Sequence, residues 1–369
     1  GEEELDIEDL IARHICVITV SAGGYAKRVP MDTYRTQIRG GVGVRGMQTK
    51  EEDHVQHLMT ACTHDYILFF TNKGQMHWLK AYEIPEGARA ARGKALVNLV
   101  DLEEDEFVRS MIAVEELDVP EAYLMMATRK GIVKKTELRA FRHLRRHGIR
   151  AINLDEDDDL IDVKLTDGQQ QILLSSASGM AVRFSEDDVR ATGRATRGVR
   201  GMNLEGRGGG EESEVVAMSI ADPEADLLIV SRQGMGKRTH VGTGIAELDR
   251  ELIGGYRLTH RGSKGVISMK LLDDDRVATA LQVREGDEVL MTSVNAQMVR
   301  IAVGDIRPIG RGAYGVRVMR LREDDAVSSV SLVARMEDAE DVDGEENAGD
   351  AGAEDAEASA EAAADAGAA

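Results

Sequence analysis

Cysteine is scarce in this chain, with 2 among 369 residues. Cys16 and Cys62 both sit in or beside apolar runs, where a free thiol behaves as a small buried hydrophobe. Two thiols exclude a disulfide framework and a cysteine-built zinc site. Aromatics are also sparse, at 4% with a single Trp. The core must then be aliphatic and methionine-rich, and stacking platforms for single-stranded nucleic acid are not expected. No apolar run approaches the roughly 20 residues of a transmembrane helix, and no secretory signal is present. A soluble, cytoplasmic protein is expected. Catalytic signatures are missing as well: there is no H-E-x-x-H and no G-x-S-x-G. G-x-G-x-x-G occurs at Gly41 to Gly46 and at Gly310 to Gly315. Neither copy follows a buried parallel strand or opens a helix, as a dinucleotide site requires.

The net charge of −20 is carried by the two ends. Residues 337–369 hold 13 acidic residues and residues 1–10 hold six, and neither segment has a Lys or Arg. The body, residues 11–336, keeps 47 acidic against 46 basic residues. The tail is built from Ala, Asp, Glu and Gly. It cannot bury enough apolar surface to offset its ordering entropy, so disorder is expected over 337–369. Residues 1–14 read as an acidic lead-in with a short helical stretch, IEDLIARH. The chain begins at Gly1 rather than Met, which suggests a piece of a longer protein.

What is abundant is repetition. Six segments share an apolar run, a turn ending in Gly, and a basic residue: ICVITVSAGGYAKR, YILFFTNKGQMHW, YLMMATRKGIVKK, ILLSSASGMAVR, LLIVSRQGMGKR and VLMTSVNAQMVR. The turn glycines are Gly24, Gly74, Gly131, Gly179 and Gly234, with Ala296 in the sixth place. A second anchor follows each time, at Gly40, Gly93, Gly148, Gly198, Gly262 and Gly312. A period near 50 residues, built from short β-branched runs and Gly turns without long amphipathic helices, reads as propeller blades or a similar radial array. The repeats run roughly 15–65, 66–122, 123–171, 172–226, 227–288 and 289–336. The fifth carries an insertion near THVGTGIAELDRELIGG, and the fourth a Gly-rich loop, EGRGGGEES.

The second anchors gather basic residues around glycine. They are Arg35, Arg39 and Arg45; Arg89, Arg92 and Lys94; Arg139, Arg142, Arg145, Arg146 and Arg150; Arg194, Arg197 and Arg200; Arg257, Arg261 and Lys264; and Arg311 and Arg317. Arg offers forked donors to phosphate, and Gly lets backbone N–H groups approach it. Any single such loop can be mere solvated surface, but six in phase would track an extended polyanion. With no recognition helix, backbone-only binding of bent duplex is the mode that remains. An acidic corner follows each anchor, at Asp53, Asp105, Asp159, Glu214, Asp275 and Asp325, and is expected to be a solvated turn. Two other readings stay open: a protein-interaction scaffold without DNA binding, and a nucleotide-dependent enzyme resting on the two glycine motifs.

Over residues 5 to about 336 the chain resembles the C-terminal domain of the DNA gyrase A protein, a type IIA topoisomerase component. The resemblance is carried by LDIEDLIARH, GYAKR, THDYILFFTNKG, YLMMATRKGIVKK, GRATRGVRGM and the RG-x-x-G loops. The family's box, Gln-Arg-Arg-Gly-Gly-Lys-Gly, is matched at five of seven positions by Gln37, Ile38, Arg39, Gly40, Gly41, Val42 and Gly43. Ile38 and Val42 replace two basic residues. The resemblance implies an all-β, six-bladed β-pinwheel over 15–336, with four-stranded blades and strand exchange between neighbours. It implies wrapping of duplex DNA around the basic rim for negative supercoiling. The implied partners are duplex DNA, the remainder of gyrase A, and gyrase B in an A2B2 holoenzyme, with the isolated domain monomeric. The catalytic tyrosine belongs upstream, and ATP and Mg2+ act elsewhere in the holoenzyme, so no cofactor is expected in this chain. The related topoisomerase IV domain, without an intact box, implies an alternative of binding with little wrapping.

Overall fold

The structure, a computed structural model, describes residues 7–34, 53–88, 90–206 and 210–333. The seven box positions, Arg35, Arg45, Arg89 and the tail 337–369 lie outside the described residues. The described part of the lead-in contributes a single 3-10 turn, Ile7–Leu10.

Six antiparallel hairpins span 15–30, 66–80, 123–137, 171–185, 226–240 and 288–302, and each forms the middle of one blade. Each hairpin turns where the sequence places its glycine, with the N–H of that residue donating to the carbonyl three residues back. The turn needs a positive φ, and the Gly turn residues adopt 76° to 89°. Ala296 takes the same turn at φ 65° in the sixth blade.

Each repeat then leaves its own blade and comes back. After the hairpin, a loop crosses to the preceding blade and adds a two-residue outer strand to it. Lys94–Ala95 pairs with Tyr25–Pro30, and Ile149–Arg150 pairs with Gln75–Lys80. Val199–Arg200, Val266–Ile267 and Val316–Arg317 do the same for blades three, four and five. The chain next returns to pair on the inner side of its own hairpin, as Val108–Val114 does with Tyr66–Thr71. Five blades are thus four-stranded, and the sixth has three strands among the described residues.

Burial explains why the hairpin strands read as continuous apolar runs. Tyr66–Thr71 is buried on both faces, because neighbouring blades pack on each side. Its residues alternate between two cores. Ile67 and Phe69 face the first blade, with Ile18 and Leu79, whereas Leu68 and Phe70 face the third, with Met126 and Phe141. Three further clusters fill the remaining junctions from blade three to blade six. Among the described residues no apolar cluster joins blade six to blade one. Val17 and Met31 on that face of the first blade pack only with Ile15 and Tyr34. The inner strands of all six blades line one central cavity of about 640 Å³, which closes the array into a ring.

Candidate nucleic-acid interface

The crossing loops lie along the outer edge of the ring. Each runs beside the second hairpin strand of the preceding blade, with isolated parallel bridges Arg28 to Glu86, Lys135 to Ala191, Phe184 to Thr259 and Arg238 to Pro308. These loops are the basic second anchors. Glycine is required where they close on the neighbour: a Cβ on Gly265 (φ 76°) would lie 2.0 Å from the Ala181 carbonyl oxygen.

Most bases of these loops fall into three groups, with Arg257 exposed and Arg139 half-buried beside Glu137 as well. Arg92, Lys94, Arg142, Arg145, Arg146, Arg150, Arg200, Lys264 and Arg317 are exposed on the rim. Arg92 lies over the Tyr25 ring at 3.9 Å. Arg194, Arg261 and Arg311 are half-buried. Arg261 donates to the Asp188 and Arg200 carbonyls, and Arg311 to the Ile267 carbonyl at 3.2 Å. Arg197 is exposed but forms a forked pair with Asp155 at 2.7 and 2.8 Å, and its hydrogen bond holds the Asp155 carboxyl below the usual carboxylate range. Arg190 and Arg307 also project exposed from the loops of repeats four and six, although sequence reasoning did not single them out. Their proximity to the anchor glycines was the available signal.

The lysine three places after the turn glycine in the first, third and fifth blades has a different place. It does not reach the rim surface but faces the underside of the crossing loop. Lys27 Nζ donates to the Ala88 and Ala91 carbonyls at 3.2 and 3.1 Å. In the second blade the donor comes from one place further along the strand, where Trp78 Nε1 donates to the Arg145 carbonyl at 3.2 Å. Lys134 Nζ donates to the Ala151 and Arg194 carbonyls at 2.7 and 2.5 Å. Lys237 Nζ donates to the Gly310 and Arg311 carbonyls at 2.6 and 2.7 Å. The next side chain along the strand repeats the device, with Arg28 to the Ile84 carbonyl, Lys135 to that of Glu186, and Arg238 to that of Ile306. Burial, followed by the charge of Arg194 or Arg311, pushes Lys134 and Lys237 down to about 8.

The loop of repeat five is fastened differently. Arg183 Nη1 donates to the Val241, Gly242 and Tyr256 carbonyls. Asp249 accepts from Thr243 N, Thr243 Oγ1 and Gly244 N, knotting the insertion on itself.

The acidic corners are fixed rather than solvated in several blades. They sit at the hairpin turns, where a carboxylate accepts a turn N–H. Asp53 takes Gly23 N, Asp275 takes Gln233 N at 3.1 Å, and Asp325 takes Asn295 N at 3.0 Å. In the third repeat the cap is Asp158, one residue before the position read from the sequence, while Asp159 pairs with Arg129 at 3.4 Å. Glu214 also pairs with Arg129, and Asp105 offers its carbonyl to Asn72. Acids therefore cluster at the turn ends of the blades and exposed bases on the outer edge. Cys16 is buried and donates to the Ala61 carbonyl, but Cys62 is only half-buried, a correction to the expectation of two buried thiols. Gly310 to Gly315 leads into the strand Val316–Arg317 and opens no helix.

A family model described as DNA gyrase C-terminal domain, beta-propeller, matches residues 17–62, 65–115, 122–167, 170–209, 225–243, 252–284 and 287–334. The chain belongs to this family. Its matched segments follow the six blades, and the break at 244–251 falls in the knotted insertion of the fifth. The DNA gyrase A protein of Staphylococcus epidermidis is 41% identical over 301 residues, which is 81% of this chain and 32% of that protein. Its counterpart from Staphylococcus aureus strain MRSA252 is 40% identical over the same length. The chain thus spans about a third of the length of the curated relatives it matches. Among solved structures, the C-terminal domain of DNA topoisomerase IV aligns with a TM-score of 0.74 at 25% identity, covering 92% of this chain and 99% of that one. A DNA gyrase A C-terminal domain aligns with a TM-score of 0.64 at 26% identity, covering 87% and 100%. No helix among the described residues is long and apolar enough to cross a membrane.

Proposed function

We propose that the rim of this gyrase-family domain binds, bends and wraps duplex DNA, so that a complete gyrase can introduce negative supercoils. One observation supports the reading most directly: the crossing loops of repeats two to six each present at least one exposed base on the same outer edge of successive blades. Bending a 20–30 bp site by 40–90° costs on the order of 1–6 kcal/mol. Many modest phosphate contacts acting together offset that cost better than a single strong one. The bases proposed to reach phosphate are Arg92, Lys94, Arg142, Arg145, Arg146, Arg150, Arg200, Lys264 and Arg317, with Arg194, Arg197, Arg261 and Arg311 behind them. The box residues Gln37 to Gly43, with Arg35, Arg45 and Arg89, are proposed on the family motif and loop composition.

In this reading the remainder of gyrase A, together with gyrase B, supplies DNA cleavage and ATP hydrolysis, with ATP and Mg2+ acting there. The acidic tail competes with DNA for the rim. A topoisomerase IV-type role, with binding but little wrapping, is supported by the alignment with that domain and by Ile38 and Val42 in place of basic residues. The deciding experiment uses a duplex of about 40 bp, carrying energy-transfer labels at its ends, with the chain in excess and with residues 337–369 present or removed. Ends drawn together support wrapping, and a stronger effect without the tail supports competition. Binding without approach of the ends favours the topoisomerase IV-type role, and absence of binding at low salt rejects both.

A further inference from the structure

The base that follows the turn glycine leaves a question that phosphate binding does not answer. An ammonium buried in an otherwise apolar sheet is costly, yet Lys134 is 1% exposed and Lys237 is 0% exposed. Neither has a carboxylate partner among the described residues. Each donates instead to two backbone carbonyls, and in both cases one belongs to the crossing loop at an arginine of the basic anchor: Arg194 for Lys134, Arg311 for Lys237. Lys27 likewise donates to two carbonyls in the loop of repeat two, those of Ala88 and Ala91. Three blades, the first, third and fifth, therefore direct a lysine from the same strand position to the loop that crosses over it.

The three exceptions are informative. In the second blade that position is His77, which lies 3.5 Å from the Glu106 carboxylate. In the fourth blade that position is Val182, and the loop crossing it is the one tied down by Arg183 and by the Asp249 knot. The ring thus accepts an apolar residue at this position when the loop is fastened otherwise. In the sixth blade it is Val299, and among the described residues no loop of a following repeat crosses that blade.

We infer that Lys134 and Lys237 are positioning residues, which hold the basic loops of repeats four and six in the shape that presents their arginines to phosphate. They touch no ligand themselves. This inference rests on the reading of the rim as a DNA surface. The clamp is charge-assisted at neutral pH. It loses its charge as the pH rises through about 8, because burial and the facing guanidinium of Arg194 or Arg311 favour the neutral amine.

The test uses the full 369-residue chain with Lys134→Met, Lys237→Met and the pair together, and with Lys134→Gln and Lys237→Gln. Met keeps the length and removes the donor, whereas Gln keeps a donor and removes the charge. Amide exchange is followed in loops 186–198 and 303–315 and in the core strand Leu124 to Ala127, alongside duplex affinity and end-to-end approach. Each Met variant should raise exchange about tenfold in its own loop alone, from loss of charge-assisted hydrogen bonds, with Gln in between. Duplex bending by the unaltered chain should weaken from pH 7 to 9, and the double Met variant should be weak and flat across that range. Unchanged loop exchange in the Met variants, or a pH dependence that persists without the lysines, overturns the inference. Faster exchange throughout the core would show a general structural role and also overturn it. If the unaltered chain fails to bind duplex, the DNA reading falls, while loop exchange still reports whether the lysines hold the loops.

Discussion

The borrowed outer strand can be tested at Gly265. This residue has φ 76°, and an added Cβ would stand 2.0 Å from the Ala181 carbonyl oxygen and 2.6 Å from its carbon. Those are backbone atoms of the fourth blade and cannot swing aside. Gly262 lies three residues earlier in the same loop with φ 84°, but its Cβ would meet only the Arg200 carbonyl oxygen at 3.8 Å. Alanine at either position incurs the left-handed backbone penalty of roughly 1–2 kcal/mol. At Gly265 the loop must also withdraw, which opens the pairing of Val266 with Ala181 and of Ile267 with Met180. Losing two backbone hydrogen bonds adds about 2 kcal/mol at a typical net value near 1 each. Gly265→Ala should therefore cost about 3–4 kcal/mol, and Gly262→Ala no more than about 2, the difference being the steric part. Urea denaturation of both variants gives the comparison, and amide exchange of Met180 and Ala181 locates the damage. Equal losses, or a Gly265→Ala loss that leaves exchange in the fourth blade untouched, would refute the argument that this strand holds neighbouring blades together.

Further outcomes are expected. Arg145→Ala with Arg146→Ala should lower the log–log salt slope of duplex binding by up to ~0.9 for each phosphate no longer neutralised, measured by titration from low to moderate salt. Tyr256→Phe removes a buried hydroxyl that shares a 2.7 Å hydrogen bond with Ser268, and should cost about 1 kcal/mol in denaturation without altering duplex affinity. Cys16, pushed up to about 11 by burial, should resist iodoacetamide at pH 8 until the chain is unfolded. The same ionisations set the alkaline stability profile. Between about 8 and the ordinary lysine value of 10.5, the unfolded chain binds more protons than the native one at Lys134 and Lys237, so their contribution to stability rises with pH. Cys16 from 9.0 to about 11, and Tyr256 from 10.0 to about 12, act in the opposite sense, because the native state keeps a proton that the unfolded chain loses. Urea midpoints across this range check both signs, and Lys134→Met with Lys237→Met should remove the rising part.

The blades were legible because a turn glycine, replaced by Ala296 in the sixth repeat, and an anchor glycine recur with apolar runs between them. Four of the five described anchor glycines, at 93, 148, 198 and 262, have the positive φ that such punctuation suggests. The exchange of outer strands was visible only through family resemblance, since two residues such as Val199 and Arg200 carry no periodicity of their own. Composition could not separate bases that face water from bases that face backbone. Lys134 and Arg145 contribute alike to a charge count, yet one lies inside a strand between Val133 and Thr136 and the other in a loop. Strand register was the missing signal. Of the acidic corners, Asp53, Asp275 and Asp325 cap their turns and the third repeat uses Asp158 instead of Asp159; the capping role was missed because a carboxylate beside a hairpin N–H in space lies 30 to 42 residues away in sequence at Asp325 and Asp275.

Because the outer strands of the first five blades are each lent by the following repeat, a blade and a repeat are not the same unit. Cutting the chain between two repeats leaves one sheet without its edge, wherever the cut falls. Inserting or removing one whole repeat disturbs a single lending step and leaves the rest intact. An architecture of this kind can change its number of blades by duplication or loss of one stretch of coding sequence, with the length of its outer track changing in equal increments.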